Sequence, residues 1–154
     1  MAVNPIPDGY RGVTPYLIVK GGAAALDFYQ RIFGGKEIMR LDGPEGTIGH
    51  AEIKIGESIV MLADPCPSGE YKTPHDLGGS PVSLLIYTED VDAMVAKAVD
   101  AGAELIAPIE NKFYGDRMGT IRDPFGHIWH ISTHVEDVAP DELQRRLEAM
   151  QPQS

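Results

Sequence analysis

Apolar and polar positions in the first third of the chain follow two different periods. Ala51, Ile53 and Ile55 alternate with polar neighbours, which is typical of a half-buried strand. Between positions 22 and 33 the apolar residues recur in steps of three and four, which predicts an amphipathic helix. In chain order we predict a strand, a helix and three strands: Thr14–Lys20, Gly22–Phe33, Glu37–Leu41, Gly49–Ile55 and Ser58–Ala63.

The second half of the chain predicts the same succession. Asp123-Pro124-Phe125-Gly126 has proline and glycine where a type I turn prefers them, so it joins the last two strands. The predicted strand, helix and three strands are Val82–Tyr87, Val91–Ala101, Glu104–Ile106, Arg117–Arg122 and His127–Thr133.

Glycines mark the repeat. Gly34 and Gly102, which end the two predicted helices, are 68 residues apart, and Gly56 and Gly126 are 70 apart. We therefore predict an α+β fold of two βαβββ modules, residues 12–64 and 82–134, within a single domain spanning 1–154. A sheet with a helix on one face leaves its other face bare, so two curved mixed sheets are expected to pair around a trough. Whether they pair within one chain or between two chains stays open.

The linker and the C-terminal segment lie outside the modules. The linker 65–81 holds several prolines and glycines, which predicts irregular structure that either covers the trough or only connects the modules. A closing helix over 138–150 is predicted, because Pro140, Asp141 and Glu142 suit a helix start. Its apolar stripe would pack on its own domain or on a second subunit.

Composition narrows the classes of function. With 13 basic and 23 acidic residues the formal charge is −10, which disfavours binding to nucleic acid and to anionic lipid surfaces. No apolar run approaches the roughly 18 residues that a membrane-spanning helix needs. Cys66 is the single cysteine and the first residues do not resemble a signal peptide, so we expect a cytoplasmic protein.

Several motifs carry a family resemblance. Pro15-Tyr16-Leu17-Ile18-Val19 precedes Ala25-Leu26-Asp27-Phe28-Tyr29, and Asp123-Pro124-Phe125-Gly126-His127 comes late in the chain. This pattern resembles the vicinal oxygen chelate superfamily of glyoxalases, extradiol dioxygenases and bleomycin-resistance proteins. Gly49-His50-Ala51-Glu52 and Tyr114-Gly115-Asp116-Arg117 resemble its PhnB-like branch. The resemblance implies a homodimer.

The resemblance also implies a divalent metal held by the first and last strand of each module. In the first strand of each module, counting back from Phe28 and Asp92 places these metal-binding positions at Thr14 and Ser83. In the last strand, counting from the turn glycines Gly56 and Gly126 places them at Val60 and His130. His130 alone has the imidazole or carboxylate chemistry that such ions need. We therefore expect no metal and no other cofactor, with a metal held by His50, Glu52 and His130 as the alternative.

Strand alternation and the motifs also indicate candidate site residues. His130 is the predicted catalytic residue, facing the trough as a general base or hydrogen-bonding group, unless it is a histidine satisfied by a neighbouring hydroxyl. Alternation of the strand places His50 and Glu52 on one face, which we expect to be the solvent-exposed polar side. The predicted ligand-binding residues are Thr14, Tyr16, Val60, Ser83, Leu85, Tyr114 and Arg117.

These features favour a small-molecule binding protein that works without the usual metal. Two alternatives stay open: a metal-dependent lyase, isomerase or dioxygenase, and a non-catalytic antibiotic-sequestering protein whose acidic trough would suit a cationic ligand.

Overall fold

The computed structural model describes residues 2–152, which divide between Ser80 and Pro81 into two compact units. The first unit holds a four-stranded sheet in the order β1-β4-β3-β2, in which β1 runs parallel to β4 and the other pairs are antiparallel. Its elements are β1 (Tyr16–Ile18), α1 (Gly22–Phe33), β2 (Lys36–Asp42), β3 (Ile48–Ile55), β4 (Ser58–Ala63) and the short helix α2 (Pro74–Leu77).

Asp64 fixes the position of α1 on its sheet. Its carboxylate accepts hydrogen bonds from the backbone N–H groups of Gly21, Gly22 and Ile48, at 2.7, 3.0 and 2.7 Å. An anionic group at a helix N-terminus satisfies free N–H donors and complements the helix dipole. A Cβ atom at Gly22 would lie 2.7 Å from the side chain of Ile48, so only glycine permits this close approach. Behind this contact lies the core: Ala25, Leu26, Tyr29, Ala51, Ile53 and Leu62.

The second unit repeats the arrangement. Its sheet has the order β5-β8-β7-β6, again with a parallel first pair and antiparallel neighbours. The elements are β5 (Ser83–Tyr87), α3 (Val91–Asp100), β6 (Glu104–Asn111), β7 (Asp116–Arg122), β8 (Ile128–His134) and α4 (Pro140–Met150). The start of α3 is capped by Asp90, which accepts from Ala93 N, and by Thr133, which accepts from Val91 N.

The predicted α+β class, with two βαβββ modules, mixed four-stranded sheets and a C-terminal helix, is confirmed. The prediction was wrong about β6, which extends to Asn111 and includes Pro108. Because β6 is an edge strand, a proline there removes no ladder hydrogen bond that the sheet needs.

The linker is not wholly irregular, which corrects a second expectation. Thr73 and Asp76 form a reciprocal capping box at the start of α2, and Pro74 occupies its first turn. Pro74 and Thr73 are both buried. The linker therefore carries its own packed turn of helix.

The helix α4 begins at Pro140, two residues later than predicted. Arg146 attaches it to the unit by donating to both carboxylate oxygens of Glu136, at 2.7 and 3.0 Å, and to the carbonyl of Phe113. Within residues 2–152 no helix is long and apolar enough to cross a membrane.

Candidate functional site in the first unit

Each sheet has one face against the helix of its own unit and one face turned away from it, which we call the distal face. Alternation along the strands and the strand register place Tyr16, Met61 and Glu52 side by side on the distal face of the first sheet. His50 and Ile18 belong to the same face, two positions along their strands. Leu17 and Leu62 point the other way, into the core beneath α1.

A chain of hydrogen bonds runs across this face. The Tyr16 hydroxyl lies 2.8 Å from His50 Nδ1, and His50 Nε2 lies 3.1 Å from Glu52 Oε1. The Tyr10 hydroxyl donates to the second oxygen of that carboxylate, Glu52 Oε2. Two phenols, an imidazole and a carboxylate are thus linked in one series, Tyr16–His50–Glu52–Tyr10.

The structure corrects the expectation that His50 and Glu52 form a solvent-exposed side. Glu52 is only 8% exposed, and the side chain of His50 is 24% exposed. The segment before β1 covers this part of the sheet: Tyr10 reaches Glu52, and Gly9 packs against Ile59. A buried carboxylate needs such donors, because an unpaired charge away from water is costly.

The hydrogen bonds set the charges in the series. The hydrogen bond from Tyr10 lowers the pKa of Glu52, and the bond from His50 acts in the same direction. Hydrogen bonding to the carboxylate raises the pKa of Tyr10, while burial raises the pKa of Tyr16. At neutral pH the series therefore consists of two neutral phenols, an imidazole and an ionised carboxylate. A carboxylate behind an imidazole orients the ring and favours one of its tautomers, so Glu52 determines which nitrogen of His50 faces Tyr16 as an acceptor.

A cavity of about 390 Å³ lies beside Tyr16, and we call it the Tyr16 cavity. It is lined by Tyr16, Ile18, Gly49, Ala63, Asp64, Cys66 and Tyr71. Cys66 and Tyr71 come from the linker, so this segment forms part of the cavity wall in its own unit. Cys66 is exposed, and the hydrogen bond that Ser68 donates to its sulfur at 3.2 Å lowers the pKa of the thiol.

The structure does not bring Thr14 and Val60 together with Tyr16 in this cavity. Thr14 precedes β1. Val60 pairs with Ile53, is 4% exposed and belongs to the face against α1, whereas Met61 lies opposite Tyr16 on the distal face. The register inferred from the turn glycines is therefore off by one residue, and a shift of one residue moves a side chain to the other face of a strand.

In the second unit, His130 lies on the distal face of its sheet between two hydroxyl groups. Its Nδ1 lies 2.8 Å from Thr120 Oγ1 and its Nε2 lies 3.0 Å from Ser83 Oγ. Leu85 pairs with His130 across β5 and β8 and is 51% exposed. The structure thus brings Ser83, Leu85 and His130 together, and both ring nitrogens of His130 are bonded to hydroxyls.

A second polar network on this sheet centres on Asp116, which is 4% exposed. Its carboxylate accepts from the Tyr87 hydroxyl at 2.7 Å and from His134 Nδ1 at 2.8 Å, and His134 Nε2 is 2.8 Å from Asp137. The hydrogen bond to Asp116, followed by that to Asp137, raises the pKa of His134. Neither Asp116 nor Tyr87 is among the predicted ligand-binding or catalytic residues, because no spacing pattern in the sequence links them.

Arg117 and Tyr114 have different surroundings. Arg117 extends over the helix side of its sheet, where it makes two hydrogen bonds to Asp92 of α3, at 2.8 and 2.9 Å. It therefore does not share a face with His130. Tyr114 is 36% exposed, and its hydroxyl approaches the sulfur of Met118, which lies on the distal face.

The residues at the positions implied for a metal do not fit one. Thr14, Val60 and Ser83 offer at most hydroxyl oxygens. His130 is the one residue of these four with an imidazole or carboxylate, and both of its ring nitrogens are hydrogen-bonded to the hydroxyls of Thr120 and Ser83. Among residues 2–152 no three or more His, Cys, Asp or Glu side chains are grouped so that they could hold a metal ion.

Comparison with known proteins agrees with this fold. Residues 13–131 match the family model of the Glyoxalase/Bleomycin resistance protein/Dioxygenase superfamily. An uncharacterized protein of Mycobacterium tuberculosis is 40% identical over 147 residues, covering 94% of this chain and 84% of the relative. A solved structure of an Arabidopsis thaliana gene product has a TM-score of 0.66 at 28% identity, covering 80% of this chain and 98% of that one. For TioX from Micromonospora the TM-score is 0.61 at 29% identity, with coverages of 81% and 99%.

Proposed function

Because the chain belongs to the glyoxalase, bleomycin resistance protein and dioxygenase superfamily, we propose that it binds a small organic molecule in the Tyr16 cavity and does so without a metal ion. The cavity is the observation that carries the proposal. Its volume of about 390 Å³ lies within the roughly 300 to 1,000 Å³ of small-molecule sites, and its lining combines apolar side chains with a few polar groups.

The chemistry of the lining supports a metal-independent site. His50, which is bonded to the lining residue Tyr16, uses one nitrogen for Tyr16 and the other for Glu52. Ligand recognition would then rest on the phenol of Tyr16, on Tyr71 and on the apolar surface of Ile18 and Ala63. The proposal concerns the first unit and needs no residue of the second.

Cys66 provides a direct test, because it lines the cavity and is the single cysteine of the chain. A library of small aromatic fragments is screened by ligand-detected NMR with excess EDTA present. Each fragment that binds is then tested for its ability to slow the reaction of Cys66 with N-ethylmaleimide, measured by intact-protein mass spectrometry. We expect fragments that bind in EDTA to protect Cys66.

The matched control is Cys66→Ser, which removes the reactive thiol and should retain fragment binding. Wild-type protein already modified at Cys66 should lose binding, since the adduct fills the cavity. The proposal is contradicted if no fragment binds, if binding needs an added metal ion, or if bound fragments leave the rate of Cys66 modification unchanged.

A further inference from the structure

The direction of the hydrogen bonds determines what the Tyr16 cavity can recognise. The carboxylate of Glu52 is ionised and accepts hydrogen bonds on both oxygens, from Tyr10 on Oε2 and from His50 on Oε1. An ionised carboxylate has no proton to give. The proton in the contact between His50 and Glu52 therefore belongs to Nε2 of His50.

In its neutral form the His50 imidazole carries one proton, so with that proton on Nε2 its Nδ1 has a lone pair and can only accept. The partner of Nδ1 is the Tyr16 hydroxyl at 2.8 Å, which must be the donor in this pair. Tyr16 keeps its proton at neutral pH, because burial raises the pKa of its phenol. The hydroxyl proton of Tyr16 is thus directed at His50 and away from the cavity.

What Tyr16 offers to the cavity is therefore an oxygen with free lone pairs. The other lining residues also make the cavity wall electronegative, because Asp64 contributes a carboxylate and the lining residues include neither lysine nor arginine. Ile18, Ala63 and Tyr71 add apolar and aromatic surface. Such a site disfavours carboxylates and phosphates, and it leaves a ligand that only accepts hydrogen bonds without a partner on Tyr16.

We infer that the ligand of this site is an aromatic or aliphatic molecule that carries a hydroxyl or amino group and donates a hydrogen bond from it to Tyr16 Oη. This inference rests on the proposed function and specifies the class of ligand. His50 and Glu52 are positioning residues in it, because they act on the ligand only through the orientation of the Tyr16 hydroxyl.

The test compares 2-naphthol with 2-methoxynaphthalene, which have the same ring system but differ in the ability to donate. Affinities are measured by calorimetry at about pH 8, above the range in which imidazole ordinarily titrates. We expect 2-naphthol to bind about tenfold more tightly, the effect of one additional hydrogen bond. 2-Naphthoate should bind more weakly than 2-naphthol, because the cavity offers its anion no cation.

Two variants identify the hydrogen bond responsible. In Tyr16→Phe the two naphthalenes should bind with about equal affinity. Tyr71→Phe removes another phenol hydroxyl from the same cavity and should retain the preference for 2-naphthol. In His50→Leu the Tyr16 hydroxyl loses its acceptor and can donate into the cavity instead. The affinity for 2-methoxynaphthalene should therefore rise relative to that for 2-naphthol.

The outcomes separate the two claims. If neither naphthalene binds or protects Cys66, and the fragment library also fails, the proposed function is contradicted. If both bind in the cavity with equal affinity, or if Tyr16→Phe keeps the preference, the proposed function stands and the inference about the ligand is overturned.

Discussion

The phenolic oxygen of Tyr16 lies 2.8 Å from Nδ1 of His50, although 34 positions separate the two residues in the chain. The contact crosses from β1 to β3, two strands that are not neighbours because β4 lies between them. Both side chains therefore reach across the distal face of β4. This geometry makes the middle of the first sheet a polar site instead of an apolar packing surface.

Glu52 should be essential for the stability of this arrangement. Glu52→Gln leaves only one side-chain oxygen to accept, so either Tyr10 or His50 loses its acceptor in a largely buried place. We expect the free energy of unfolding to fall by about 1 to 3 kcal/mol. Urea unfolding followed by circular dichroism measures it. Glu57→Gln, an exposed change in the adjoining turn, should stay within about 0.5 kcal/mol, and equal effects of the two changes would refute the role of Glu52.

The His134 network predicts that stability depends on pH. The pKa of His134 is raised in the folded state, so its contribution is fully present below the unfolded value of about 6.5 and is lost as pH rises through the folded value. His134→Gln should therefore lower the melting temperature more at about pH 6 than at about pH 9. Asp137→Asn removes one of its two carboxylate partners and should shrink that difference. A loss in His134→Gln that is independent of pH would contradict this account.

Asp123 should be the main structural residue of the turn before β8. Its carboxylate accepts from the backbone N–H groups of Phe125 and His127 and from the indole N–H of Trp129, each at 2.9 Å. Asp123→Ala would leave these donors without that acceptor, and we expect a loss of about 3 kcal/mol or more. Trp129 is the single tryptophan, so its fluorescence measures the unfolding transition. In the folded Asp123→Ala variant we expect its emission maximum to shift to longer wavelength. Asp100→Ala on the exposed end of α3 should change neither.

Ser132 should be replaceable with a gain in stability. It is 0% exposed, and within the described part of the chain its hydroxyl is the buried side-chain oxygen that lacks a hydrogen-bond partner. Ser132→Ala removes a hydroxyl whose burial is uncompensated, so we expect a gain of about 1 kcal/mol. Ser83→Ala is the matched comparison, because Ser83 is bonded to His130 and its loss should not stabilise. A clear loss of stability in Ser132→Ala would contradict the prediction.

Local signals in the sequence were sufficient for most of the fold. The helix Gly22–Phe33 and the strand Ser58–Ala63 are predicted to the residue. The helix has a clear apolar period and Gly34 directly after it, and the strand is a short apolar run after the turn Gly56-Glu57. The length of β6 was missed, since Pro108 argues against a strand unless its edge position is known. Pairing of the sheets, dimerisation and membership of the PhnB-like branch stay predictions.

The candidate site was harder to predict than the fold. The spacing of His50 and Glu52 shows that they share a face, but the alternating pattern gives no sign of what covers that face. Burial of Glu52 depends on Tyr10, which is 42 positions away in a segment without regular structure. Val60 was assigned to the wrong face because β3 and β4 are joined by a tighter turn than β7 and β8. Long-range contacts of irregular segments leave no periodic signal in a single sequence.

The protonation of the His50 ring tests the central claim most directly. Long-range proton–nitrogen NMR at about pH 8 distinguishes the two ring nitrogens, and the signals of His50 are assigned by their absence in His50→Gln. We predict a proton on Nε2 and none on Nδ1, so that Tyr16 must donate to His50. A proton on Nδ1 would reverse the hydrogen bond with Tyr16 and contradict the account.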